Sequence, residues 1–491
     1  MIKLKQKHYN KVWEILLIII VLEILFVICS INNKIINNLS ILGLKLRFYS
    51  FSELIDFNVN KENILADSLI KKYEQKHFIK RRILLSNLNY KQNNFFDNPL
   101  NRNNQFALDL FFEAVLSQRD SCVVRIAHYG DSQLEGDRIT HVLRKKIQNY
   151  FGGTGVGFIP FVDIAEPVTY YRNSSDNWCK YNVFDNKYYS EFYGMGGIIF
   201  KFNHCKKYQK TRDTIINKLD SNVYLKSNYA SIYINLRPSY VYKKLVLMYG
   251  KCLEYCIVKV SDKNYTNVYY DTLIPTNGFN LHKLNLLSSF NPLRLEFYSD
   301  ISPDFYGLLL DGNNGVQVDN FAIRGHSGIG LMNIAQEYLA TQIKLLNTKL
   351  IIFQYGGNVV PYINDSIDYQ KVEQFYYALF NKFKKAAPQT SILVVSTGDM
   401  ARKIGDKYIS YPQIPYIVDA QHRAALKAGC AFWNLYAAMG GQGSIKIWSE
   451  KKLASPDGHF SNKGQEIIGN ELFNAIISEY NNYCIRKLKS K

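Results

Sequence analysis

The chain has 491 residues, 47% of them hydrophobic, and a formal net charge of +19. That length and apolar content exclude a globally disordered protein and leave room for about two to three domains with their own cores. The basic residues are scattered and accompany no nucleic-acid motif, so the charge reads as compositional bias or as affinity for anionic polymers and headgroups, and nucleic acid is not an expected partner.

In chain order, Lys3, Lys5, Lys7 and Lys11 precede a nearly continuous apolar run, Val12 to Ile31. Such a run makes roughly 30 Å of helix, enough to cross a bilayer. Glu23 falls near its middle and costs roughly 2–3 kcal/mol, which the surrounding Ile and Leu outweigh. The leading lysines place the N-terminus in the cytoplasm. Phe26-Val-Ile-Cys29 lacks the small residues of a lipidation site. An uncleaved, single-pass anchor in the inner membrane is therefore expected, with the catalytic part in the periplasm or outside the cell; a cleaved signal peptide is the alternative.

Residues 32–104 are rich in Asn and Lys and read as a stalk. Ile64–Ile70 and Phe78–Leu85 are its short helices, and 86–104 has the composition of a loop. Phe106, Leu108, Leu110, Phe111 and Val115 form an amphipathic run that should lead the next domain.

Val123–Ala127 is a β-branched, apolar strand, and Leu134, Ile139, Val142, Leu143 and Ile147 recur at helical spacing. The turn between them, His128-Tyr-Gly-Asp-Ser132-Gln, puts a small nucleophile at the carboxyl edge of a sheet, beside N–H groups of a helix start. An ordinary helix-capping turn would read the same way, so distant segments must decide.

From about Asp163 to Gly315 the pattern changes to short strands, among them Ser231–Leu236, Lys244–Met248, Tyr255–Val260 and Leu293–Phe297. This spacing predicts an inserted β-sandwich. Its aromatics Tyr170, Tyr171, Trp178, Tyr188, Tyr189 and Tyr193 divide between core packing and sugar stacking.

Val316–Arg324 then runs as a strand into the Gly-rich turn Gly325-His-Ser-Gly328, and Leu350–Phe353 runs into Gln354-Tyr-Gly-Gly-Asn358. A close backbone N–H at Gly328 and the amide of Asn358 are oxyanion donors of the kind acyl transfer requires. Near the end, Ser455-Pro-Asp457-Gly-His459 precedes a helix with Ile467, Ile468, Leu472, Phe473 and Ile476 on one face. An acid two residues from a His, with a candidate nucleophile upstream, fits a nucleophile, base and orienter.

In these four blocks the chain resembles the SGNH or GDSL-type hydrolases, named for a Ser, a Gly, an Asn and a His. Within them it is most similar to periplasmic peptidoglycan O-acetylesterases, through Gly130–Asp137 followed by Phe151–Phe158, and through Ala431–Gly441 before the His loop. The resemblance covers roughly 105–162 and 316–480. It implies an α/β fold, a three-layer α/β/α flavodoxin-like hydrolase, with an inserted carbohydrate-binding-like sandwich. The expected division is 1–31 cytoplasmic tail and anchor, 32–104 stalk, 105–162 and 316–491 the two parts of the hydrolase, and 163–315 the insertion.

By the same resemblance Ser132 is the nucleophile, His459 the general base and Asp457 its orienter, with Ser132, Gly328 and Asn358 forming the oxyanion hole. No metal or cofactor is expected. One departure stands out: the family's last block has two residues between Asp and His, and here Gly458 alone separates them. That spacing puts the reach of Asp457 to the imidazole in doubt, and a Ser-His dyad is the alternative. The implied function is a serine esterase that removes O-acetyl groups from cell-wall peptidoglycan or a related polysaccharide. A polysaccharide O-acetyltransferase using the same residues, and a non-catalytic glycan-binding protein, are the competing readings.

The remaining residues are expected to be structural. Cys122 and Cys430 read as small buried residues and Cys252-x3-Cys256 as no zinc site, while pairing among Cys179, Cys205, Cys252 and Cys256 is left open. His128, His141, His326 and His422 read as structural, with His326 nearest to the site.

Overall fold

The computed structural model describes residues 40–41, 44–45, 95–100, 105–188, 190–204, 228–286, 288–363 and 366–489. The chain divides into two compact units, 1–92 and 93–491. In the first, Ser40–Ile41 pairs antiparallel with Leu44–Lys45. The run Val12 to Ile31, read as a membrane anchor, and the stalk helices lie outside the described residues. Among the described residues no helix is long and apolar enough to cross a membrane.

The second unit is organised by a six-stranded sheet. In chain order its strands are β1 (Phe96–Asp97), β2 (Val123–Gly130), β3 (Gly315–Ala322), β4 (Thr348–Gln354), β5 (Ser391–Val395) and β6 (Ala431–Trp433). Their spatial order is β3-β2-β4-β5-β6-β1. Strands β2 to β6 are parallel, and β1 runs antiparallel to β6. Among the parallel strands the first lies between the second and third, which is the flavodoxin-like order.

Alternation along the strands builds the layers. Val124 and Ile126 of β2 join Val316, Leu350, Leu393 and Val395 against α1 (Asp109–Gln118), α2 (Arg138–Phe151) and the last helix, Asn462–Lys489. Ala127 and Tyr129 join Ile351, Phe353, Ile392 and Val394 on the other face, under Gln336–Leu345, Ser366–Ala386 and Ile414–Lys427. Both faces are covered, so the parallel strands read as unbroken apolar runs.

Between β2 and β3 lie two antiparallel sheets. One has the order 268–273, 256–261, 293–298, 229–236, 170–174; the other runs 280–284, 244–250, 304–311, 198–202, 178–182, with 155–159 paired to 304–311. Phe297 of the first and Phe305 of the second meet at 4.9 Å between ring centroids, and Trp178 lies 5.6 Å from each. The sheets thus face one another as a sandwich.

Four expectations need amendment. Gly155–Ile159, assigned to the hydrolase part, pairs with Asp304–Asp311 and so belongs to a sandwich sheet. The sandwich shares its core with the catalytic sheet: Phe158 meets Phe321 of β3 at 4.8 Å, and Arg125 of β2 is buried between Asp311 and Asp319. Residues 96–97, assigned to the stalk loop, form the edge strand β1; two residues are too few to show a strand period. The α-helix expected from Leu134 begins at Arg138, after a 3-10 turn in which Gly136 and Asp137 have φ of 69° and 63°.

Of the aromatics weighed for sugar stacking, Tyr170, Trp178 and Tyr193 are core residues, Tyr188 is half-buried and Tyr171 is exposed; Tyr189 lies outside the described residues. Cys179 is disulfide-bonded to a residue outside those described, while Cys122, Cys252, Cys256, Cys430 and Cys484 are free.

Candidate active site

The site lies at the carboxyl edge of the sheet, where the order reverses between β2 and β4. At such a point the loops after two neighbouring strands diverge to opposite faces and leave a crevice. Asp131 and Ser132 follow β2, and Gly357 and Asn358 follow β4; all four line one cleft of about 80 Å³ with Ser396 to Met400 after β5 and Asp457 to Phe460.

Ser132 sits on a turn closed by the Leu134 N–H donating to the Asp131 carbonyl, 3.1 Å. Gly130 is required there, because a Cβ would stand 2.9 Å from the Gln354 carbonyl and 2.6 Å from Leu134. The buried Asp131 carboxylate accepts from the Gln133 N–H (3.0 Å) and the Asn358 amide (2.9 Å). Burial pushes its pKa up to about 6, although those two hydrogen bonds and the nearby His459 pull it down.

The His loop meets this turn. Ser132 Oγ lies 2.8 Å from His459 Nε2, and His459 Nδ1 lies 3.0 Å from Asp457 Oδ2. A proton on Nδ1 toward the carboxylate leaves Nε2 to accept from the hydroxyl, the arrangement a general base needs.

The doubt about the short Asp-Gly-His spacing is answered by the turn itself. Gly458 takes φ +92°, the Gly458 N–H donates to the Ser455 carbonyl at 2.9 Å, and the His459 N–H donates to Asp457 Oδ1 at 3.2 Å. The carboxylate is thereby folded back over its own loop, leaving Oδ2 for the ring. Burial would raise the Asp457 pKa, but hydrogen bonds from Ser455 and from the backbone and ring of His459 hold it below the usual value. The dyad is nonetheless open to water, with side-chain exposures of 42% for His459 and 62% for Asp457.

The oxyanion donors are placed less uniformly. The Asn358 amide nitrogen reaches the cleft and donates to Asp131 Oδ2 and to the His326 carbonyl, 3.2 Å. This second bond joins the β3 turn to the β4 turn. Gly328 has φ +95° and no room for a side chain, since a Cβ would meet Leu379 and the Tyr355 ring at 3.1–3.2 Å; it is not among the residues lining the cleft.

Sequence reasoning missed Gln133. Its carboxamide donates to the Gly458 carbonyl (2.8 Å) and accepts the Phe460 N–H (3.4 Å), bracketing His459 from both sides. Only its place beside the nucleophile could have signalled this. Sequence reasoning also passed over β5, whose following loop supplies one cleft wall.

The other histidines have structural partners. His128 is buried between Gln354 (3.1 Å) and Thr140 (3.2 Å), and His326 Nε2 accepts the Gly330 N–H at 2.9 Å. Burial lowers the pKa of each to about 4, so both rings are neutral at pH 7. Among the described residues no cluster of His, Cys, Asp and Glu is arranged to hold a metal.

The strand order, the nucleophile turn after β2 and the His loop before the last helix give the chain the fold of an SGNH-type hydrolase. More particularly, it shares its fold with a solved structure described as a peptidoglycan O-acetylesterase in action. That structure aligns over 79% of this chain and 100% of its own, with a TM-score of 0.60 and 19% identity. An acetylxylan esterase from Geobacillus stearothermophilus overlaps 33% of this chain and 73% of its own, at 16% identity and a TM-score of 0.24. The periplasmic domain of a lipopolysaccharide acetyltransferase from Salmonella ser. Paratyphi A overlaps 34% and 74%, at 13% identity and a TM-score of 0.25. No protein-family model matches the chain, and no curated protein matches it.

Proposed function

We propose that the protein is a serine esterase of the SGNH type that removes O-acetyl groups from cell-wall peptidoglycan or a related polysaccharide. The observation that carries this reading is the 2.8 Å contact of Ser132 Oγ with His459 Nε2, in line with Asp457 at 3.0 Å. His459 takes the hydroxyl proton as Oγ bonds to the acetyl carbon. The tetrahedral adduct then collapses, the C–O bond to the sugar breaks, and His459 returns the proton to the departing sugar oxygen. Water, deprotonated by the same nitrogen, attacks the acyl-enzyme and releases acetate and free Ser132.

The negative oxygen would be received by the Ser132 and Gly328 N–H groups and the Asn358 amide, each such donor worth roughly 3 kcal/mol. For Asn358 this requires the oxyanion to share or replace one of its present acceptors. The small cleft suits a short acyl group, and the exposure of His459 favours water over a sugar hydroxyl as the second acceptor. We further place the catalytic part outside the cytoplasm, on the apolar run Val12 to Ile31 and on the disulfide at Cys179, a bond of oxidising compartments.

The test is to incubate detergent-solubilised protein with an aryl acetate and with O-acetylated glycan, with and without an acceptor sugar. Acetate release lost in Ser132→Ala supports the esterase. Acetylated acceptor supports a transferase, and glycan binding without turnover removes the catalytic reading. Fractionation of cells producing the full chain, with and without residues 1–31, tests the location.

A further inference from the structure

Directly after Met400, a cleft residue, the chain leaves the globule as a two-stranded hairpin, Ala401–Ile404 with Lys407–Ser410. These strands pair with each other and with no other described strand. Gly405, at φ +57°, supplies the left-handed position of the two-residue turn. All eight residues from Arg402 to Ile409 are exposed, including Ile404, Tyr408 and Ile409 at 48%, 55% and 47%. The register sets Arg402 opposite Ile409, Lys403 opposite Tyr408 and Ile404 opposite Lys407, so cations and apolar side chains stand next to each other on both faces. An isolated hairpin of this size is marginal in water, and burying apolar groups in solvent-facing pairs does nothing for the core.

The base of the hairpin is tied to the catalytic loops. The Ala401 N–H donates to the Pro456 carbonyl at 2.8 Å, next to Asp457, and the Ser410 hydroxyl donates to Asp399 at 3.0 Å. The Tyr411 N–H donates to the Met400 carbonyl at 3.1 Å, and Arg402 lies 5.4 Å over the Tyr411 ring. Arg402, Lys403 and Lys407 outnumber Asp406, and among the described residues none of the three forms a salt bridge.

We infer that this hairpin is a substrate-holding arm that binds a carboxylate-bearing glycan strand whose ester lies in the cleft. The inference rests on the esterase reading for the identity of what enters the cleft. A polymer with one ester at Ser132 must leave over the cleft rim, and the hairpin is anchored to that rim at both Met400 and Pro456. Its unpaired cations complement carboxylates, and its Tyr and Ile side chains fit the C–H faces of sugar rings. Neutral glycan, a lipid surface and a second copy of the chain are the other possible occupants.

The experiment compares full-length protein with the triple variant Arg402→Gln, Lys403→Gln, Lys407→Gln. Substrates are an aryl acetate, neutral acetylated xylan, and O-acetylated peptidoglycan strands, which carry carboxylates. At low salt, KM for the carboxylate strands should rise on the order of tenfold with kcat unchanged, as expected for three exposed charge contacts. Its salt dependence should flatten. Values of kcat/KM for the aryl acetate and for xylan should stay within about twofold of the parent.

Binding is measured separately, by co-sedimentation of each protein carrying Ser132→Ala with the same two polymers and with anionic vesicles. Loss of binding confined to the carboxylate strands supports the arm even if no ester is cleaved. Unchanged binding, equal loss on xylan, or a change seen on vesicles alone overturns it. Failure of the parent to cleave any ester sinks the esterase reading by itself.

Discussion

Gln133 offers the sharpest test of how the site is assembled, because its carboxamide is the polar bridge between the nucleophile turn and the backbone on both sides of His459. Replacing it with Leu keeps the volume and removes a 2.8 Å and a 3.4 Å hydrogen bond. Net values of about 0.5–1.5 kcal/mol each, with the longer bond near the bottom of the range, give about 1–2 kcal/mol. If that energy is what holds the imidazole on Ser132, kcat falls about 5- to 30-fold. KM for a small aryl ester should hardly move, since the amide is satisfied by protein and not by substrate. Gln133→Glu keeps an acceptor for Phe460 and sets a carboxylate against the Gly458 carbonyl, so it should lose at least as much. Steady-state kinetics on an aryl acetate, alongside thermal unfolding, reads both effects. Full kcat in Gln133→Leu would refute the reasoning, as would a loss of activity that merely follows a fall in Tm.

Asp319 accepts the Arg125 guanidinium at 3.0 Å and the Phe158 N–H at 2.9 Å, both buried; Asp319→Ala should destabilise the unit by about 3–5 kcal/mol, as seen when one member of a buried pair is removed, and denaturant unfolding reads it. For pH, His128 is lowered to about 4 by burial from an unfolded value near 6.5. Its contribution to stability is therefore complete above about pH 6.5 and is lost as pH falls through about 4. His128→Gln lacks that component, so its stability deficit against the parent should shrink by up to about 3 kcal/mol between pH 7 and pH 4. A deficit independent of pH would show that the ring is charged in the folded protein.

The parts of the fold legible in the sequence were those that bury themselves by pattern. β2, β3 and β4 read as apolar runs because both of their faces are covered, and Ile468, Leu472 and Ile476 mark the last helix because they recur on its buried side. β1 was not legible, since Phe96–Asp97 is two residues long and is held by pairing with Phe432 and Trp433 from far along the chain. Nor was the delay of α2: the left-handed Asp137 is stabilised by a buried ion pair with Arg144 at 2.6 Å and a bond from Thr169 at 2.9 Å, neither visible as periodicity. At the site, Ser132 and His459 could be named from their turns. The Gln133 bridge could not, because it joins residues whose proximity is created only by the fold.

The shortened Asp-Gly-His spacing shows why a motif's length matters less than the direction its backbone takes. With one intervening residue the carboxylate can meet the ring only if the chain reverses tightly, and φ +92° at Gly458 is what reverses it. An L side chain there costs about 1–2 kcal/mol in backbone strain, and its Cβ would stand 3.0 Å from the Met400 Cβ. Gly458→Ala should therefore swing Asp457 away from Nδ1 while leaving Ser132 and its turn in place. The expected fall in kcat is about 10-fold, less than for a fully buried acid because Asp457 already shares its charge with solvent. Asp457→Ala should lose a similar factor, and the double variant no more than the worse single, since both remove the same contact. Losses that multiply in the double variant would mean that Gly458 acts on the His459 position directly, and that the imidazole is held by its loop and not by the acid.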